Sequence, residues 1–120
     1  SVDDGEARSF KLVKTVVLPK SEGGAALFDK SGVNLVRVVC NRDRNGQVQA
    51  VSNHEDMKGA VAFCDEEGEE AVTFVVEKLS KCGVQAMFVR TKPGISVKVP
   101  VFVLNKKEYN IMLGTDAANT

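Results

Sequence analysis

Residues 60–90, AVAFCDEEGEEAVTFVVEKLSKCGVQAMFVR, set the balance between helix and strand in this chain of 120 residues. Val72, Val75, Val76 and Leu79 recur at i, i+3, i+4 and i+7, with Ala71 and Cys82 at the margins, and that spacing predicts an amphipathic helix over 69–82. Glu66, Glu67, Glu69 and Glu70 crowd its start and Lys78 and Lys81 its end, as the aligned peptide dipoles favour. Gly83 falls where a helix exit through the left-handed region needs a residue without Cβ. Composition pulls the other way, because Val72-Thr-Phe-Val-Val76 is β-branched and aromatic, and such side chains lose rotamer freedom in a helix. Downstream, Val84–Arg90 is apolar on both faces and reads as a central strand. Upstream, Ala60–Cys64 is too short for periodicity to separate strand from helix.

Outward from this segment the chain reads as strands joined by tight turns. Twenty valines against seven leucines and two isoleucines favour a sheet-dominated core. Phe10–Leu18 alternates and stops at Pro19. Ala25–Phe28 and Val33–Val39 flank Asp29-Lys30-Ser31-Gly32, and Val33–Cys40 and Gln47–Ser52 flank a turn in which Asn45-Gly46 supplies positive φ. His54–Lys58 suits a short helical turn. Beyond Lys92-Pro93-Gly94, Ile95–Leu104 reads as a long strand with Val97, Val99, Val101 and Val103 on one face. Pro100, lacking an amide hydrogen, predicts an edge position or a break there. Asn105–Glu108 reads as a polar turn and Tyr109–Leu113 as a last short strand. The resulting expectation is one α+β domain over 10–114, with 1–9 a flexible lead-in and 115–120 a tail. Its sheet is expected to be mostly antiparallel, a meander of hairpins of about five to seven strands, with the 69–82 helix packed on one face.

Sixteen basic and sixteen acidic residues cancel, which removes a global electrostatic argument for nucleic acid or anionic lipid. The cancellation hides segregation: 53–70 is strongly acidic, while 11–52 and 71–110 are basic. No run approaches the ~18 apolar residues that span a bilayer, so no membrane partner is expected. Cys40, Cys64 and Cys82 are scattered, without a C-x-x-C, and read as small buried side chains of a reducing compartment such as the cytoplasm. The start at Ser1, without methionine or a signal-peptide pattern, reads as a chain either processed or excised as one module of something longer.

The inventory of reactive groups is thin. His54 is the only histidine, and its polar setting reads as a solvated loop; a Cys-His pair would require Cys40 or Cys64 beside it. Asp65-Glu66-Glu67-Gly68-Glu69-Glu70 lacks the spacing of a calcium loop, and the glycines form no phosphate-cradling motif. No catalytic residue, cofactor or metal ligand is therefore assigned. Arg37, Arg42, Arg44, Arg90, Lys92, Lys98, Lys106 and Lys107, with Phe10, Phe28, Phe88, Phe102 and Tyr109, would be the parts of a surface for single-stranded nucleic acid. Those aromatics, however, alternate like core residues.

Two segments carry a family likeness. Val99-Pro-Val-Phe-Val-Leu104 followed by Tyr109-Asn-Ile-Met-Leu-Gly-Thr-Asp116 resembles the C-terminal part of retropepsin-like aspartic proteases, and Ala25-Ala-Leu-Phe-Asp29-Lys-Ser31-Gly32 resembles their catalytic loop. The resemblance implies Asp29, Ser31 and Gly32 as the loop, with Ile111–Gly114 as its partner ending, and two subunits juxtaposing two aspartates. Here Lys30 separates Asp29 from Ser31-Gly32, and the predicted helix departs from the family pattern. The leading functional expectation is a non-enzymatic protein-binding or oligomerisation domain, acting through a sheet edge or a charged face on a protein partner or a second copy of itself. An active or degenerate protease and a single-stranded nucleic-acid-binding domain are the alternatives.

Overall fold

The computed structural model describes residues 35–110. Along the chain run β1 (Leu35–Arg37), β2 (Cys40–Arg42), β3 (Val48–Val51), a 3-10 turn (His54–Met57), β4 (Val61–Cys64), α1 (Glu69–Leu79), β5 (Ala86–Val89) and β6 (Val101–Val103), and residues 106–110 are helical. β1, β4, β5 and β6 form one four-stranded sheet in that order, every pair parallel. Among the described residues only β2 and β3 pair antiparallel, as a separate two-stranded ribbon.

The structure is thus α+β, but the expected antiparallel meander is wrong. Its cause lies in the two short apolar runs. VAFC of β4 and AMFV of β5 are buried at every position, the mark of strands covered on both faces, as parallel sheets require. Parallel neighbours need a crossover, and α1 is the crossover between them. The Asn45-Gly46 turn does close a hairpin, with Gly46 at φ 81°, pairing Cys40 with Val51 across a bulge at Asn41/Arg42. The run before it, however, breaks after Arg37, and β1 pairs with β4 rather than folding back locally. Ala60–Cys64, undecided in the sequence, supplies central strand β4.

Downstream, only Val101–Val103 of the expected 95–104 strand is a strand. Pro100 precedes it, its carbonyl accepting from Met87 N–H at 2.9 Å, and β6 is the outer strand among those described. Tyr109 and Asn110 are helical rather than the start of a strand. The reason is a reciprocal cap: Asn105 N–H donates to Glu108 Oε1 and Glu108 N–H donates to Asn105 Oδ1, both at 2.8 Å, which satisfies two amides at the helix start. The expected strand 10–18, the Ala25–Phe28 arm and turn of the first hairpin, and the segments 1–9 and 115–120, lie outside the described residues.

Register sorts the sheet into two faces, since paired residues of parallel strands share a face and neighbours alternate. Val36, Ala62, Met87 and Val101 form one row, continued by Cys64, Val89 and Val103; Arg37, Phe63, Phe88 and Phe102 form the row on the opposite face. The valine stripe of α1 packs on the first face: Val72, Val75, Val76 and Leu79 are fully buried with Ala62, Cys64, Met87 and Val89, and Val38, Val51 and Met57 join from the link after β1, from β3 and from the 3-10 turn. Helix spacing therefore prevailed over β propensity, as burial of a complete apolar stripe usually does. α1 ends at Ser80, and Gly83 turns away at φ 80°. Its carbonyl accepts from Gly59 N–H at 2.8 Å, tying the helix exit to the start of β4.

Candidate functional site

Parallel strands bring their C-terminal ends to one rim, where open α/β sheets place ligands. Each strand here delivers charge to that rim. Arg37 ends β1, Asp65-Glu66-Glu67 follow β4, Arg90 follows β5, and the capped turn bearing Tyr109 follows β6. The rim at β1 is held by Asn53, whose Nδ2 donates to Arg37 O at 2.8 Å and whose Oδ1 accepts from Val39 N–H at 3.0 Å.

Alternation divides these residues into two clusters. On the phenylalanine face Asp65 is the hub: Arg37 Nη2 donates to Oδ2 at 2.5 Å and the Tyr109 hydroxyl to Oδ1 at 2.5 Å. Arg90 lies over the Tyr109 ring, Cζ 4.0 Å from its centroid, and the ring packs on Phe63 at 5.9 Å. On the helix face Arg42 pairs with Glu66 and donates to Gly46 O at 2.9 Å. Between the ribbon and the start of α1 opens a cleft of about 750 Å³. Arg37, Arg42, Glu66, Glu67 and Glu70 line it, and Val38, Val48 and Phe74 supply apolar lining.

The acidic run therefore does more than start a helix. Asp65 and Glu66 are drawn off to arginines on other elements, and only Glu69 and Glu70 sit in the first turn of α1. Glu67 also fixes the following loop through its backbone, its carbonyl accepting from Thr91 Oγ at 2.7 Å. That loop approaches α1 closely. Gly94 N–H donates to Thr73 Oγ at 2.7 Å, and a Cβ on Gly94 would lie 2.9 Å from Glu69 Oε2.

The thiols near the rim are poor nucleophiles. Burial, then the Glu66 carboxylate, pushes Cys40 up to about 11, and burial pushes Cys64 up to about 12. Near pH 8 a thiol of pKa about 11 is thiolate in roughly one molecule in a thousand, and the thiolate is the reactive form. Iodoacetamide at that pH is expected to modify half-exposed Cys82 first, with Cys40 and Cys64 following only on unfolding; mass spectrometry finding Cys64 modified early would refute this. His54 is exposed on the 3-10 turn. Among the described residues no three His, Cys, Asp or Glu side chains gather as a metal site, and no helix is long and apolar enough to cross a membrane.

Tyr109 offers a direct probe, being the only tyrosine in a chain without tryptophan. The hydrogen bond to Asp65 holds its phenol above the ordinary 10, with burial and the carboxylate charge adding and Arg90 and Arg37 opposing. Because the folded value is raised, the contribution to stability is present below pH about 10 and fades as pH rises through the folded value. Titrating tyrosinate absorbance should give a midpoint above 10 in the native chain and one nearer 10 in Asp65→Asn. A native midpoint at or below the ordinary value would sink this account of the cluster.

Of the residues marked out in the sequence, Arg37, Arg42, Arg90 and Tyr109 converge on the rim, but as partners of carboxylates. Phe88 is buried and stacks on Phe102 at 5.2 Å. Asp29, Ser31, Gly32 and Ile111–Gly114 lie outside the described residues. The hub role of Asp65 was missed; its signal is a charged residue directly after a wholly apolar strand, repeated as VAFC-Asp65 and AMFV-Arg90. Compared with protein-family models, with curated proteins and with solved structures, the chain matches none of them.

Proposed function

We propose that the chain is a non-enzymatic protein-binding module that grips a partner segment in the cleft between the β2–β3 ribbon and the start of α1. The observation that carries this reading is the lining of that cleft: arginines and carboxylates, Arg42 and Glu66 paired among them, share it with apolar Val38, Val48, Ala71 and Phe74, a pattern suited to a peptide whose apolar side chain enters while its polar groups meet the rim. The raised thiols favour binding over thiol chemistry.

The test is selection from a display library of random peptides on the purified chain, followed by affinity measurement. Selected peptides should share an apolar anchor flanked by charge, and should lose roughly tenfold or more in affinity to Ala71→Arg, which fills the cleft, and to Arg42→Glu, which reverses one lining charge. Equal binding to both variants, or cleavage of a selected peptide, would overturn the proposal.

A further inference from the structure

Of the rim arginines Arg37, Arg42 and Arg90, Arg90 has the longest polar contacts among the described residues. Its polar neighbours all lie around Nη1: the Tyr109 hydroxyl at 3.5 Å, Glu67 Oε2 at 3.6 Å and Asp65 Oδ1 at 3.7 Å. None reaches the 2.7–3.2 Å range of a good N–H···O bond. Asp65 is already engaged, one oxygen by Arg37 and the other by Tyr109. Glu67 is 80% exposed, so its attraction to Arg90 is screened and weak. Meanwhile the Tyr109 ring lies beneath Cζ at 4.0 Å and backs the guanidinium, and 30% of the Arg90 side chain remains open to solvent. A guanidinium's planar fork of donors fits a carboxylate with two parallel bonds.

We propose that Arg90 is a receptor for a carboxylate carried by an acidic segment of a partner protein, with Glu67 as its built-in competitor. The incoming carboxylate takes the edge of Arg90 at bonding distance, and Glu67 swings into solvent. Arg90 is not a wall of the ribbon–helix cleft, although Glu67 lines that cleft as well, so the two sites adjoin at one carboxylate but bind through different residues. At the contact itself a singly charged carboxylate meets less repulsion from Asp65 and Glu67 than a phosphate dianion in the same place, because repulsion at short range grows with the charge of the ligating group.

Tyr109 fluorescence tests this directly, since no other tyrosine or tryptophan contributes. An acetylated, amidated tetraglutamate peptide at matched ionic strength should change Tyr109 emission saturably, and the tetraglutamine analogue should not. Arg90→Lys, which keeps the charge and loses the fork, should weaken tetraglutamate roughly tenfold or more. Glu67→Gln should tighten it several-fold, a gain that a purely structural role for Glu67 would not produce. Phe74→Ala, which strips apolar lining from the cleft and adds no charge near Glu67, should leave it unchanged, which separates this site from the cleft. An equal response to tetraglutamine, undiminished binding by Arg90→Lys, or no tightening by Glu67→Gln would overturn the proposal. Inorganic phosphate saturating at lower concentration than tetraglutamate would overturn the carboxylate assignment.

Discussion

Phe88→Ala is expected to cost about 3–5 kcal/mol of unfolding free energy, the range for emptying a fully buried aromatic site. Phe88 is fully buried at the middle of β5, with Phe63 and Phe102 beside it on the neighbouring strands and the Phe102 ring stacked at 5.2 Å. Parallel strands flank it on both sides, and neither can close in without disturbing its own hydrogen bonds, so the cavity should persist. Against a typical domain stability of about 5–15 kcal/mol, this is a large fraction of the total. The melting temperature should fall by roughly 10–20 °C, given the entropy of unfolding of a chain this long. Val103→Ala is the control, because Val103 lies on β6, the outer strand among those described, and is 39% exposed; it should cost under about 1 kcal/mol. Denaturant titrations in which Val103→Ala cost as much as Phe88→Ala would contradict the burial order of the sheet.

The same two strands explain what the sequence disclosed and what it concealed. α1 was legible because three independent signals agreed on it: the stripe from Val72 to Leu79, the charges at its ends and Gly83. The Asn45-Gly46 turn was legible for a local reason, its positive φ. Sheet direction was not, because it depends on which distant strand a segment meets. Leu35–Arg37 carries no mark that it will pair with Val61–Phe63 rather than fold back. Wholly buried VAFC and AMFV, separated by a helix, were the available evidence for a parallel crossover. The hairpin signals on their upstream side pointed to antiparallel pairing and outweighed it. The rim was hidden for the same reason. Asp65 and Tyr109 are 44 positions apart, and only the parallel arrangement makes neighbours of the residues that follow β4 and β6.

Glu108→Ala is expected to cost about 2–4 kcal/mol, combining a lost helix cap with a buried amide left without an acceptor. Glu108 is fully buried and Asn105 nearly so, so water cannot readily replace the carboxylate on Asn105 N–H. Glu108→Gln keeps an acceptor oxygen in the same place and should recover much of the loss, as the capping box accepts either residue. Asn105→Ala removes the reciprocal acceptor, and the double variant should cost less than the sum of the two single ones, since they dismantle one unit. The consequence reaches the rim, because the cap fixes the turn whose next residue is Tyr109. Once it is lost, the Tyr109 hydroxyl should leave Asp65, its titration should drop toward the ordinary 10, and Arg90 should lose the ring that backs it. Tyrosinate absorbance and tetraglutamate affinity would follow these changes in the folded fraction of Glu108→Ala. A destabilised variant with an unchanged Tyr109 titration would mean that packing on Phe63, rather than the cap, places the phenol, and the link from the buried carboxylate to the carboxylate receptor would be broken.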